Sequence, residues 1–117
     1  MRMWMVDPRI LCRKHLLGEH SELHKFLPSW KKRHSIKGRV ASNSIEPLSY
    51  VERHEDLAVE MLKRGYKHES PLSAPDFSYL DVGYLNTKVD REKALRLLLD
   101  RCPECKERFE SLDSSER

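Results

Sequence analysis

The chain has 117 residues, enough for one domain with a single modest core. Charged residues make up 35% and glycine occurs only four times, a composition suited to a soluble helical domain rather than a sheet protein. The apolar runs fall well short of the ~20 residues of a membrane span. The start Met-Arg-Met-Trp-Met-Val lacks the features of a secretory signal, so a cytoplasmic protein with no membrane partner is expected.

Residues 1–6 should be extended and tied down, because Trp4 and Met5 are too apolar to stand in water. A first helix is predicted over residues 8–27, with Asp7 as N-cap and Pro8 in its first turn. At 100° per residue Cys12, Leu16, Leu23 and Leu27 form a core stripe. About a third of a turn away, His15, Gly18 and Glu22 share another face, with Glu19 on the border. Glycine inside a helix costs roughly 1 kcal/mol relative to alanine. Either something approaches the backbone closely at Gly18, or this is an ordinary solvated face.

Pro28 restarts the chain, and residues 29–34 read as a short basic helix, followed by a loop over 35–48. A second helix is predicted over 48–64, with Tyr50, His54, Leu57, Ala58 and Met61 as its buried stripe. His54 on that stripe reads as a hydrogen-bonded core histidine. Lys63-Arg64-Gly65 is a helix stop, with cations in the last turn and glycine beyond it. Residues 66–89, with Pro71, Pro75, Gly83 and scattered aromatics, should be an ordered loop packed on the helices. Asp90 caps a third helix through Ala94, Leu95, Leu98 and Leu99, which Pro103 stops or kinks. The expected fold is all-α: a compact single domain of three main helices with long ordered loops, spanning 1–110, and a polar tail over 111–117.

Charge is unevenly spread. Residues 1–40 hold ten Lys/Arg against three acids, a local net of +7. The remainder holds twelve against sixteen, a net of −4. Such asymmetry suggests an N-terminal surface that meets a polyanion. A small basic protein that binds DNA without cutting it would satisfy this charge pattern as well.

Two blocks say more. Met1-Arg2, His15-Leu16 and Glu19-x-x-Glu22-Leu23, followed by Glu60-Met61-Leu62-Lys63-Arg64-Gly65-Tyr66, resemble the pyrimidine-dimer DNA glycosylase/AP lyase family of the phage endonuclease V type. The resemblance covers roughly residues 1–72. It implies a base-excision repair glycosylase with an associated β-elimination lyase activity, acting on damaged double-stranded DNA as a monomer without a cofactor. In that family the chain's own α-amine attacks C1′ of the damaged nucleotide, releases the base and forms a Schiff base. An α-amine suits this because such groups titrate at about 7.7–8.0, against about 10.4 for lysine.

Aligned on His15 and Glu22, Met1 takes the nucleophile position, because Arg2 is too bulky for the initiator methionine to be removed. Glu22 matches the catalytic glutamate. Arg2, His15 and Lys25 match positions that hold phosphates around a flipped-out nucleotide. Lys14, Lys31, Lys32 and Arg33 are expected phosphate contacts by charge alone. The chain departs from the family at Ser21, where relatives carry a basic residue. It departs again in its acidic C-terminus, where relatives carry an aromatic, basic tail. Fewer backbone contacts are therefore expected.

The three cysteines are too few and odd in number for a disulfide framework. Cys12 lies on the core stripe, and Cys102 and Cys105 continue the Leu95/Leu98 stripe, so packing accounts for all three. A Cys₂His₂ zinc site joining His20 and His24 to the Cys102-Pro-Glu-Cys105 pair is the metal alternative. His20-Ser-Glu-Leu-His24 puts the glutamate one place off the metalloprotease pattern. No metal is expected.

Overall fold

The computed structural model describes residues 1–68 and 70–112. Its helices are α1 (Arg13–Lys25), α2 (Leu27–Lys31), α3 (Lys37–Ala41), α4 (Tyr50–Lys63), α5 (Val82–Leu85), α6 (Arg91–Arg101) and α7 (Pro103–Ser111). Short 3₁₀ turns lie at Pro8–Ile10 and Pro47–Ser49. No strand occurs among the described residues, and the longest helices are α1, α4 and α6, as the all-α reading with three main helices requires. No helix among the described residues is long and apolar enough to cross a membrane. Residues 113–117 of the expected polar tail lie outside the described residues.

The first helix begins five residues later than the sequence suggests. Asp7 does cap, but it caps the 3₁₀ turn, accepting from the Arg9 N–H at 2.9 Å. Leu11 and Cys12 are then extended, and α1 starts at Arg13. Ile10, Leu11 and Cys12 are each at most 3% exposed. Three consecutive residues of one helix point 100° apart and cannot all face one core, so the chain must break the helix there. The Cys12 thiol becomes the N-cap of α1, accepting from the His15 N–H.

The core forms where α1 packs on α4. Leu16 and Leu23 of α1 meet Tyr50, Leu57 and Met61 of α4, all buried. Burying each such leucine contributes about 1.5–3 kcal/mol relative to leaving it exposed. The Tyr50 hydroxyl donates to the Leu23 carbonyl and ties the two helices directly. α4 ends as read from the sequence: Gly65 is left-handed at φ +80°, with Tyr66 N–H reaching Met61 O and Gly65 N–H reaching Leu62 O. Trp30 of α2 is buried among the rings of Phe26, Tyr50 and Phe77.

Two expected irregular stretches contain short helices. The 35–48 segment holds α3, and 66–89 holds α5, capped by Asp81. Four or five residues give too little periodicity to read in advance. The 66–89 segment does pack on the helices, through Phe77 on Trp30 and the Tyr79 hydroxyl on the His34 carbonyl. Asp90 caps α6 as expected, accepting from the Lys93 N–H at 3.1 Å. Pro103 does more than stop α6: it opens α7, which returns to pack on the Pro8–Ile10 turn.

Candidate active site

The N-terminal segment is held by buried anchors, and its backbone turns through the left-handed region at Met5 (φ 55°). Met3 is fully buried and its N–H donates to Ser44 O at 2.8 Å. Below it, Glu19 and Arg53 form a buried bidentate pair at 2.6 and 2.9 Å. Arg53 also donates to the Val6 carbonyl at 2.6 Å, and the Trp4 N–H donates to Glu19. Burial pushes the Glu19 carboxyl up, against the pull of Arg53. One buried ion pair thus fixes the N-terminal segment to both α1 and α4.

That placement brings the chain start to α1. The Arg2 N–H donates to Glu22 Oε2 at 3.0 Å. The Arg2 guanidinium lies over the Trp4 ring at 4.9 Å, and Trp4 meets the His15 ring edge-on at 5.9 Å. Arg39 of α3 donates to the Met1 carbonyl at 3.2 Å and lies over the Phe26 ring at 5.5 Å. Glu22 is exposed, and a Cβ built on Gly18 meets nothing within 4 Å. Protein packing therefore does not demand glycine at 18. The face it shares with Glu22 is open to an incoming molecule.

Met1, Arg2 and Glu22 are thus neighbours, with His15 linked to them through Trp4. Lys14 and Lys25 stand exposed on α1. Lys31, Lys32 and Arg33 stand exposed at the end of α2, beside a cleft of about 360 Å³ lined by Leu27, Trp30, Ser73 and Pro75. Another cleft, of about 470 Å³, lies between the N-terminal turn and α6–α7 and includes neither Glu22 nor Met1.

Sequence reasoning missed Arg39 and the Glu19–Arg53 pair. Arg39 was hidden in a segment read as loop. The pair did leave a signal: Leu16, Glu19 and Leu23 lie at i, i+3 and i+7, and Arg53 sits within the apolar stripe of α4.

The histidines and cysteines do not form the single Cys₂His₂ site that their sequence spacing suggests. His20 and His24 do not join Cys102 and Cys105. Instead Cys12, His15, Cys102 and Cys105 form one group and His20, His24, His54 and His68 another, the ligand-type atoms of each lying within 4.8 Å of one another. His15 turns its Nδ1 toward Cys12 Sγ at 3.1 Å, so only Nε2 is free to meet a phosphate. Burial, then Lys14, lowers its pKa against the opposing pull of Glu104 and Glu22. Burial and the neighbouring rings of His54, His24 and His68 bring His20 down to about 4.

The family model described as pyrimidine dimer DNA glycosylase matches residues 1–74, from the chain start through α4. The chain belongs to the pyrimidine dimer DNA glycosylase family. The matched segment contains both Met1 and Glu22, and membership of a DNA glycosylase family implies DNA as substrate. Comparison with curated proteins and with solved structures returned no match. In this family member α6 and α7, with Cys102 and Cys105, lie beyond the matched segment.

Proposed function

We propose that the chain excises the damaged base of a pyrimidine dimer and then cuts the strand by β-elimination, with the Met1 amine as nucleophile and Glu22 as the acid–base and electrostatic group. The observation that carries this reading is the 3.0 Å hydrogen bond from the Arg2 N–H to Glu22, one residue from the amine, beside the open face at Gly18.

The amine's lone pair attacks C1′ of the damaged nucleotide and the glycosidic bond breaks, the base leaving with the bonding electrons and gaining a proton. The sugar ring opens as the amine gives up a proton, leaving an iminium. The Glu22 carboxylate stabilises that positive charge and accepts the C2′ proton. The C3′–O bond then breaks and the 3′ phosphate departs; hydrolysis of the imine returns the amine. None of these steps uses a metal. Arg2, Lys14, His15 through Nε2, Lys25, Lys31, Lys32 and Arg33 hold backbone phosphates, and Arg39 positions Met1 through its carbonyl.

The test is borohydride trapping on duplex DNA carrying a pyrimidine dimer, and on DNA with an abasic site. Reduction of the imine should leave a covalent protein–DNA adduct through the N-terminal residue. Tight binding with no adduct on either substrate would favour a non-catalytic DNA-binding protein instead.

A further inference from the structure

We propose that Cys12, His15, Cys102 and Cys105 form a structural zinc site that clamps α7 onto the start of α1. The four residues come from two short pairs far apart in sequence, Cys-x-x-His and Cys-x-x-Cys, each at the N-terminus of a helix. All three cysteines are buried free thiols.

The spacing is that of a tetrahedral site. Zinc bound at about 2.3 Å to sulfur and 2.0–2.1 Å to nitrogen sets sulfur pairs about 3.8 Å apart and sulfur–nitrogen pairs about 3.6 Å apart. Here Cys12 Sγ and Cys102 Sγ are 3.8 Å apart, and His15 Nδ1 lies 3.1 Å from Cys12 Sγ and 3.6 Å from Cys105 Sγ. Three backbone N–H groups aim at these sulfurs: Cys12 to Cys105 at 3.2 Å, and His15 to Cys12 and Cys105 to Cys102, both at 3.4 Å. Such donors stabilise thiolates, the form a metal requires.

Packing explains buried cysteines and helix capping explains two of these amides, but neither explains the converging imidazole or the Cys12 N–H aimed at Cys105 Sγ. With four protein ligands the site is closed, which makes the ion structural. Bound through Nδ1, His15 keeps its proton on Nε2 and is fixed as a hydrogen-bond donor.

A different observation carries a second site. His20 Nε2 is buried and has no hydrogen-bond partner. His24 Nε2 and His68 Nε2 both approach His54 Nε2, at 3.0 and 3.4 Å, although an imidazole nitrogen can share only one proton. Four imidazoles on a tetrahedral zinc ion would have nitrogens about 3.3 Å apart. The outward nitrogens have orienting partners: His54 Nδ1 meets Glu55 at 3.1 Å, and His24 hydrogen-bonds the Ser70 backbone. We infer a four-histidine zinc site that pins the segment after α4 to α1 and α4.

Zinc should be counted by mass spectrometry on the full chain, and cobalt-substituted protein examined by absorption. Two equivalents are expected, with a thiolate-to-cobalt charge-transfer band and the visible bands of tetrahedral cobalt. Cys102→Ser with Cys105→Ser should remove one equivalent and the charge-transfer band. His24→Ala with His68→Ala, at two partly exposed positions, should remove the other equivalent and leave that band. Absence of the band in the wild-type chain, or a Cys12–Cys102 disulfide recovered from protein kept reduced, would overturn the first site without reliance on a variant. A wild-type count of one, abolished by the cysteine variant, would overturn the second.

Discussion

The Arg2 N–H donates to Glu22 Oε2 at 3.0 Å, joining the chain start to the open face of α1. A main-chain donor holds the carboxylate without neutralising it, and the exposed side chain keeps its other oxygen for a substrate. Glu22→Gln preserves the shape and can still accept this hydrogen bond. It should slow base release on the order of 10²-fold or more in single-turnover kinetics. Affinity for damaged duplex should change only a few-fold.

Acetylating the α-amine, or extending the N-terminus with an uncleaved tag, should abolish both base release and strand cleavage. Duplex binding should largely survive, since one amine is a small part of a basic surface. Unchanged cleavage by a tagged protein would assign the attack to another group, such as a lysine.

Arg53→Met should destabilise the fold by about 3–5 kcal/mol, because it strands the Glu19 carboxylate in the core. The same change removes the donor to Val6 O, so the N-terminal segment should loosen first. Urea unfolding measures the loss. Hydrogen exchange at Met3 and Trp4 should report the loosening, and normal protection there would separate the pair from the placement of the chain start.

Reversing charge at Lys31, Lys32 and Arg33 should weaken binding to damaged and intact duplex alike. If all three meet phosphates, the slope of log affinity against log salt should shrink by up to about 3. A change confined to lesion preference would place them at the lesion instead, beside the cleft that Trp30 and Pro75 line.

Burial raises the Tyr50 hydroxyl from its usual value near 10 to about 12. Its folded value exceeds its unfolded one, so the stabilisation is fully present below pH 10 and is lost as pH rises toward 12. The whole effect is worth roughly 2–3 kcal/mol. Alkaline unfolding curves should show this slope, and Tyr50→Phe should remove it.

The sequence by itself determined what depends on near neighbours along the chain. The α4 stripe from Tyr50 to Met61, the Gly65 stop and the Asp90 cap all follow from periodicity and local hydrogen bonding. The family resemblance was legible for the same reason, since Met1, His15, Glu22 and the 60–66 block lie in two short stretches within the matched segment. Tertiary structure decided everything that requires two distant segments to meet. The break at Leu11–Cys12 arises because three successive side chains must reach one core. Glu19 finds Arg53 only because α1 packs on α4. Cys12 and Cys105 meet only because α7 folds back onto the N-terminal turn. The Cys-x-x-Cys and His-x-x-x-His spacings are visible in the sequence, but spacing along one helix fixes only which face a side chain occupies. Which face comes to lie opposite it is set by how the helices pack. That is why the four histidines and the Cys₃His group resolve into two clusters.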